Sequence, residues 1–373
     1  MEGKMRDPRV EKLAHSIVTY SCSIQPGERV VIESHGDHQD AFVKALIREI
    51  YAAGASPFLW MYKMDIRREI LMQANADQLK IAAESDALLM SRMDVYIRVR
   101  GEENTSELGD VPSERMADFT RIYSKTVNAN KPGKWCVMHY PTDGMAQAEG
   151  MSMEALETRF FEVCAMDYSK MKKAFVPLKE LMERTDRVHI IGKGTDLTFS
   201  IKGIGATPCA GENNIPDGEI FTAPVKDSVN GVITYNTTAF YEGTVFDNIR
   251  FRFEQGKIVE AAASDTVRLN AILDRDEGSR YIGEFAIGVN PYVTSPMKDS
   301  MFNEKMAGSI HFTPGNSIAS ADNGNRSSIH WDIVYAQTPE YGGGEIWFDD
   351  VLIRKDGRFV LPELLGLNPE HLV

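Results

Sequence analysis

Residues 28–62 read ERVVIESHGDHQDAFVKALIREIYAAGASPFLWMY, a strand, a helix and a second strand in succession. Val30, Val31 and Ile32 form the unbroken apolar centre of a strand over 28–34, as in a strand buried on both faces. Over 40–53, Phe42, Ala45, Leu46 and Ile50 recur at i, i+3, i+4 and i+8, which is one face of a helix. Gly54 ends it, as a glycine just past a helix terminus does. Residues 56–62 are the second strand.

The rhythm continues outward. Residues 66–93 are rich in helical pattern, 94–99 read as a third strand and 134–139 as a fourth. Strands alternating with helices imply a parallel sheet covered by helices. Ligands of such sheets sit beyond the carboxyl ends of the strands. The loop Gly36, Asp37, His38 follows the first strand and is therefore expected to touch a ligand. No G-x-G-x-x-G or Walker A pattern follows it, so a nucleotide site is not expected. A helical stretch over 153–184 is expected to break or bend near Pro177. After Thr185 and Asp186 the character changes to short strands at 189–191 and 197–201. Further short runs are divided by Gly, Asn, Asp and Pro, with 261–278 as a helical exception. The expected architecture is an α/β N-terminal domain with a parallel sheet over 1–186, followed by a mostly β (α+β) metal-binding catalytic domain over 187–373.

The 373 residues allow two ordinary domains, and 43% hydrophobic with 25% charged residues is an ordinary globular balance. A net charge of −13 repels phosphate backbones, so nucleic acid is not an expected partner. Cys22, Cys136, Cys164 and Cys209 are widely spaced, which suits reduced thiols in a cytoplasmic protein. Residues 1–7 are charged and lack the apolar run of a secretory signal, and no stretch nears the ~20 apolar residues of a membrane span.

The chemistry gathers in the second half. In Ser328-Ile329-His330-Trp331-Asp332-Ile333-Val334-Tyr335, read as a strand, His330 and Asp332 project to one face and Trp331 to the other. An imidazole beside a carboxylate suits Zn, Co or Mn. His311 lies 19 residues earlier in another strand-like run that ends at Pro314-Gly315, and an antiparallel neighbour strand brings it beside His330. Glu284, in Tyr281-Ile282-Gly283-Glu284-Phe285-Ala286-Ile287-Gly288, and Glu219, after Pro216-Asp217-Gly218, stand in apolar strands, where a charge is costly unless paired or bound to a metal. Two imidazoles and three carboxylates hold two divalent ions with one carboxylate bridging, and two ions about 3.5–4 Å apart activate a water and polarise a carbonyl together. His15, His38, His139, His189 and His371 carry no such pattern.

At these residues the chain resembles the aminopeptidase T / aminopeptidase S family of metallopeptidases. The matching motifs are Asn214-Ile215-Pro216-Asp217-Gly218-Glu219-Ile220-Phe221-Thr222-Ala223-Pro224, Ile282 to Gly288, and the segments around His311 and His330-Trp331-Asp332, with a similar Pro26-Gly27-Glu28 turn. The resemblance implies metal ligands at Glu219, Glu284, His311, His330 and Asp332. It adds Glu304 as the nearest match to a further glutamate before the first histidine. It also implies short peptide substrates, removal of N-terminal residues and a homodimer enclosing the active site. The family carries a tyrosine seven residues after the first histidine, where this chain has Ile318. Glu219, at a loop–strand junction behind Gly218, is the candidate to carry the proton to the leaving amine, on the expectation that one of its oxygens is free. Two alternatives share the fold. One is a mononuclear Fe(II) ring-cleaving dioxygenase using His311, His330 and Asp332. The other is an inactive metal-dependent peptide-binding protein.

Overall fold

A computed structural model describes residues 7–36, 38–104 and 106–373. Residues 1–6 of the charged N-terminal stretch and Asp37 of the loop expected at the first strand's end lie outside them. The chain divides into two compact units. The first runs to Ala165 and includes Gly211–Ile215, and the second comprises Met166–Ala210 and Pro216–Val373.

The first unit contains the expected parallel sheet. Its order is Ser56–Tyr62, Arg29–His35, Val95–Arg100, Lys134–His139 and Asn214–Ile215, every neighbour parallel. Val30, Val31, Ile32, Ile97 and Val99 are fully buried, and the helix Asp40–Ala52 turns Phe42, Val43, Ala45, Leu46 and Ile50 inward. The apolar centre of each inner strand is thus covered, as a parallel sheet requires. The fifth strand was not expected. Asn214 and Ile215 pair with Val137 and Met138 from some 77 positions away in sequence.

The helical stretch 153–184 is two helices, Met153–Cys164 and Tyr168–Arg184. The break falls at 165–167 rather than at Pro177, which lies inside the second helix. Asp167 makes the new start by accepting from Ser169 N, satisfying an orphan helix donor. The second helix belongs to the second unit, so the contact-defined division lies at 165/166, ahead of the change of sequence character near 186.

The second unit is mostly β. An eight-stranded antiparallel sheet runs Lys257–Ala262, Arg250–Glu254, Asn230–Thr234, Thr195–Ser200, Arg187–Gly192, Gly344–Phe348, Val351–Lys355, Arg358–Phe359. A five-stranded antiparallel sheet runs Val334–Ala336, Ser309–Pro314, Ile282–Gly288, Glu219–Thr222, Thr207–Cys209. The two sheets meet through Phe199, which lies 5.0 Å from Phe285 and 5.1 Å from Phe312 between ring centroids, and through Phe253, 5.9 Å from Phe312. Alternation along each strand therefore sends Phe285, Ile287, Ile310 and Phe312 into this core and their neighbours to the other face. That other face carries the site.

Candidate metal centre

The register of the five-stranded sheet collects the acidic and imidazole side chains. Ala286 pairs with His311 and Gly288 with Glu219, while Cys209 pairs with Glu219 on the far side. Glu284, Ala286 and Gly288 share one face of their strand, with the two small residues leaving room between the larger ones. Two glycines permit close approaches that side chains would block. A Cβ at Gly288 would lie 2.4 Å from Met306 O and 3.0 Å from Glu304 O, so only glycine admits the 304–306 segment over the sheet. A Cβ at Gly283 would lie 2.4 Å from both Gly315 O and Asn316 O, at the register shift between Ile282 and Glu284.

His330 and Asp332 do not stand in the regular strand expected over 328–335. The ladder covers only Val334–Ala336, and His330 makes an isolated bridge with Gly315. The partner segment contains Pro314, which has no N–H to give, so pairing there is irregular. The segment still runs alongside, with Trp331 N donating to Pro314 O (3.2 Å) and Asn316 N to Ile329 O (2.7 Å). Alternation survives: Trp331 packs at a tilt against Tyr241 (4.8 Å) and Phe246 (5.2 Å), while His330 Nε2 lies 3.3 Å from Asp332 Oδ1.

The structure brings together Glu219, Glu284, His311, His330 and Asp332, and Glu304 adjoins them through Lys305. His311 Nε2 lies 2.8 Å from Glu284 Oε1 and its Nδ1 3.5 Å from Glu219 Oε2. His330 Nε2 lies 3.6 Å from Glu284 Oε2. Glu219, Glu284 and His311 form one group and Glu284, His330 and Asp332 a second, each with ligand atoms within 4.8 Å of one another, and Glu284 belongs to both. His330 donates from Nδ1 to Asn316 O (2.9 Å), which orients the ring and leaves Nε2 for the site. Thr313 Oγ1 donates to Asp332 Oδ1 (2.7 Å). Glu304 sits just after the short helix Ser300–Asn303 and pairs with Lys305 (2.9 Å).

Three residues at the site were not anticipated: Lys305, Asp217 and Cys209. Lys305 is 1% exposed, and its ammonium donates to Glu219 Oε1 (2.5 Å), with Asp217 Oδ1 at 3.6 Å. Lys305 thus engages one Glu219 oxygen, Oε1, and Oε2 is left without a hydrogen-bond partner. A lysine between a glutamate and a methionine gives no sequence signal of burial. The one hint was its place beside Glu304.

The electrostatics are those of charges held out of water. Burial pushes the Glu284 and Glu304 carboxyls above the usual carboxylate range, Glu304 well above it. Burial alone would lower the two imidazoles, but the carboxylates outweigh it. Glu219, Glu284 and Asp332 raise His311 to about 10, and Asp332 and Glu284 raise His330 to about 10. Burial likewise opposes the charge on Asp332, yet His330, His311 and Thr313 hold its carboxyl well below its ordinary value. Despite this crowding, Glu219 Oε2, Glu284 Oε2 and His311 Nδ1 are buried without a hydrogen-bond partner. Each such orphan costs about 1–3 kcal/mol, and a divalent cation among them answers all three, so the residues fit the metal that the sequence pattern implies. Beside His330 opens a pocket of about 590 Å³ lined by Asn316, Ile318, Ala319 and Arg326. Tyr335 does not take the place of the tyrosine missing at Ile318, because its hydroxyl packs on Gly192 in the other sheet.

In the first unit, His38, Glu103 and Asp143 also come within reach of one another, at the loop expected to touch a ligand. All three are exposed, and His38 Nε2 already pairs with Glu103 (2.6 Å).

Residues 6–359 match the model of the thermophilic metalloprotease (M29) family. The chain belongs to that family. Among M29-like relatives, aminopeptidase T of Thermus thermophilus is 26% identical over 377 residues, covering 87% of this chain and 91% of the relative. Aminopeptidase AmpS of Bacillus subtilis is 25% identical over 328 residues, covering 78% and 79%. Wild-type AmpT from Thermus thermophilus superposes with a TM-score of 0.77 at 23% identity, covering 95% of this chain and 99% of that one. The 2,5-dihydroxypyridine dioxygenase of Pseudomonas putida KT2440 superposes at 0.62 with 13% identity, covering 95% and 98%. Both structural likenesses speak for the fold. M29 membership makes this chain a metal-dependent peptide-bond hydrolase, and the carboxylate and imidazole groups above are ones that could hold a divalent ion. Among the described residues no helix is long and apolar enough to cross a membrane.

Proposed function

We propose that the chain is a cytoplasmic, homodimeric aminopeptidase that releases N-terminal residues from short peptides, with two divalent cations per chain, Zn, Co or Mn. In this reading Glu219, Glu284 and His311 hold one cation and Glu284, His330 and Asp332 the other, with Glu284 between them. The observation that carries it is the trio of buried ligand atoms without a hydrogen-bond partner on Glu219, Glu284 and His311. When bound, the two cations polarise the scissile carbonyl and supply a water made nucleophilic near neutral pH.

The chain's own groups do the rest. The Nδ1–H of His330 stays on Asn316 O and fixes the ring. Thr313 holds Asp332 in one orientation. Lys305 occupies Glu219 Oε1, and in this reading Glu219 Oε2 goes to a cation, which leaves Glu219 no oxygen for proton transfer. Glu304 suits the role better, since burial pushes its carboxyl well above the usual carboxylate range, toward that of a proton carrier. The pocket beside His330, walled by Ile318, receives the residue to be released.

Elemental analysis paired with hydrolysis of aminoacyl anilides tests this. Two Zn, Co or Mn per chain and cleavage that stops when the substrate amine is acetylated are expected. Glu304→Gln should keep its metal and lose turnover, whereas His330→Ala should lose metal. One iron per chain with oxygen consumption would overturn the reading in favour of a dioxygenase. Metal binding without turnover of any peptide would favour a binding protein. Light scattering tests the dimer.

A further inference from the structure

The charge distribution at the site is lopsided. Lys305 offers three N–H groups, and three carboxylates surround them: Glu219 Oε1 at 2.5 Å, Glu304 Oε1 at 2.9 Å and Asp217 Oδ1 at 3.6 Å. Among the described residues the ion pairs of Glu284 and Asp332 run instead to imidazoles. One pole of the site thus carries a fixed cation and the other does not.

The ammonium has no room to leave. Lys305 is 1% exposed, and its carbonyl accepts from Asn290 N (2.8 Å) while its N–H donates to Phe302 O (3.2 Å). The 304–306 backbone is pressed onto Gly288, where even a methyl group would not fit. With both imidazoles neutral, as metal ligation requires, and the carboxylates ionised, five carboxylates (Asp217, Glu219, Glu284, Glu304, Asp332) against one ammonium leave four negative charges, which is the charge of two divalent cations. A cation approaching Glu219 meets only Oε2, and it meets Lys305 as a like charge at close range in a medium of low dielectric. A cation at Glu284, His330 and Asp332 escapes most of that repulsion.

We propose that Lys305 is a built-in counter-cation of the metal centre that makes the two cation positions unequal. The position at Glu284, His330 and Asp332 fills first, and the position at Glu219, Glu284 and His311 fills second and more weakly. This rests on the two-cation reading above. Lys305 is a positioning residue here, since it acts by holding Glu219 to one free oxygen.

The test is a cobalt(II) titration of the full-length chain after chelator stripping, followed by calorimetry and by visible absorption. The wild type should show two steps separated by at least about tenfold in Kd, the scale set by one nearby like charge. Lys305→Met should tighten the second step by at least about tenfold and leave the first nearly unchanged. His330→Ala should remove the first step and keep the second. If Lys305→Met does not fold, as judged by circular dichroism, the double variant Lys305→Met/Asp217→Asn is read the same way. It removes one charge of each sign and keeps the cluster's net charge. Two wild-type steps that neither variant alters would overturn the role of Lys305 and leave the two-cation reading standing. One cation in the wild type but two in Lys305→Met would uphold Lys305 and retire the two-cation reading. A single cation in both would end both.

Discussion

Two buried clusters of charge, one in each unit, are built from the same residue types and behave in opposite ways. In the first unit His35 has both ring nitrogens on carboxylates, Nε2 on Glu33 (2.6 Å) and Nδ1 on Glu102 (3.1 Å). Glu33 is answered on both oxygens, by His35 and Arg98 at Oε1 and by the Tyr96 hydroxyl at Oε2. Burial opposes ionisation at both acids, yet His35, Arg98 and Tyr96 bring Glu33, and His35 and Arg100 bring Glu102, down to about 2. In the second unit the same burial wins at Glu284 and Glu304, and three ligand atoms are left without partners. A buried network whose carboxylates and imidazole are partnered, although Arg98 Nε is not, is a structural element. One that crowds carboxylates and imidazoles while leaving them unsatisfied is completed by something from outside the chain.

The widest gap between the clusters should appear at Glu284, which belongs to both groups that could hold a metal ion. Glu284→Ala should lower kcat/KM on an aminoacyl anilide by at least about a thousandfold, the upper scale for losing one electrostatic stabiliser, and should lower metal content by elemental analysis. Full activity in that variant would erase the contrast. Gly283→Ala should come next. Its Cβ collides with Asn316 O, the acceptor that orients His330, so metal affinity should fall about tenfold or more in a folded protein, read by chelator competition.

The satisfied cluster should respond in stability alone. Glu33→Gln should cost about 2–4 kcal/mol in urea unfolding and leave metal content unchanged. Because the folded-state value of Glu33 lies below its ordinary one, the stabilisation is present at neutral pH. It is lost as the pH falls from about 4.5 through about 2, amounting to about 3 kcal/mol. The difference between wild type and Glu33→Gln should therefore shrink across that window, and a constant difference would sink the assignment. The smallest effect is expected at Ile318, which is 36% exposed in the pocket wall. Ile318→Ala should shift the preference between leucyl and alanyl anilides by less than about tenfold.

Much of this was legible in the chain. The strands at 56–62 and 134–139 coincide with Ser56–Tyr62 and Lys134–His139, because apolar β-rich runs bounded by turn residues leave little choice. The i, i+2 placement of His330 and Asp332 also held, even where the strand itself did not, because extended backbone alternates with or without its ladder. The break at 165–167 was less legible than Pro177, because its signal is a single residue, Asp167, capping a new helix.

The sequence by itself determined the alternation of strand and helix, the charged residues stranded in apolar strands, and the family to which they belong. Periodicity and side-chain chemistry are local, and they can be read one segment at a time. Only the tertiary structure decided that Asn214 and Ile215 complete a sheet begun near residue 29, and that Gly283 and Gly288 are needed for backbone to pass close by. It alone decided that Lys305 lies among the acids rather than in water. Those outcomes depend on which distant segments meet, and whether a charge is paired, orphaned or opposed is a property of the meeting and not of the residue.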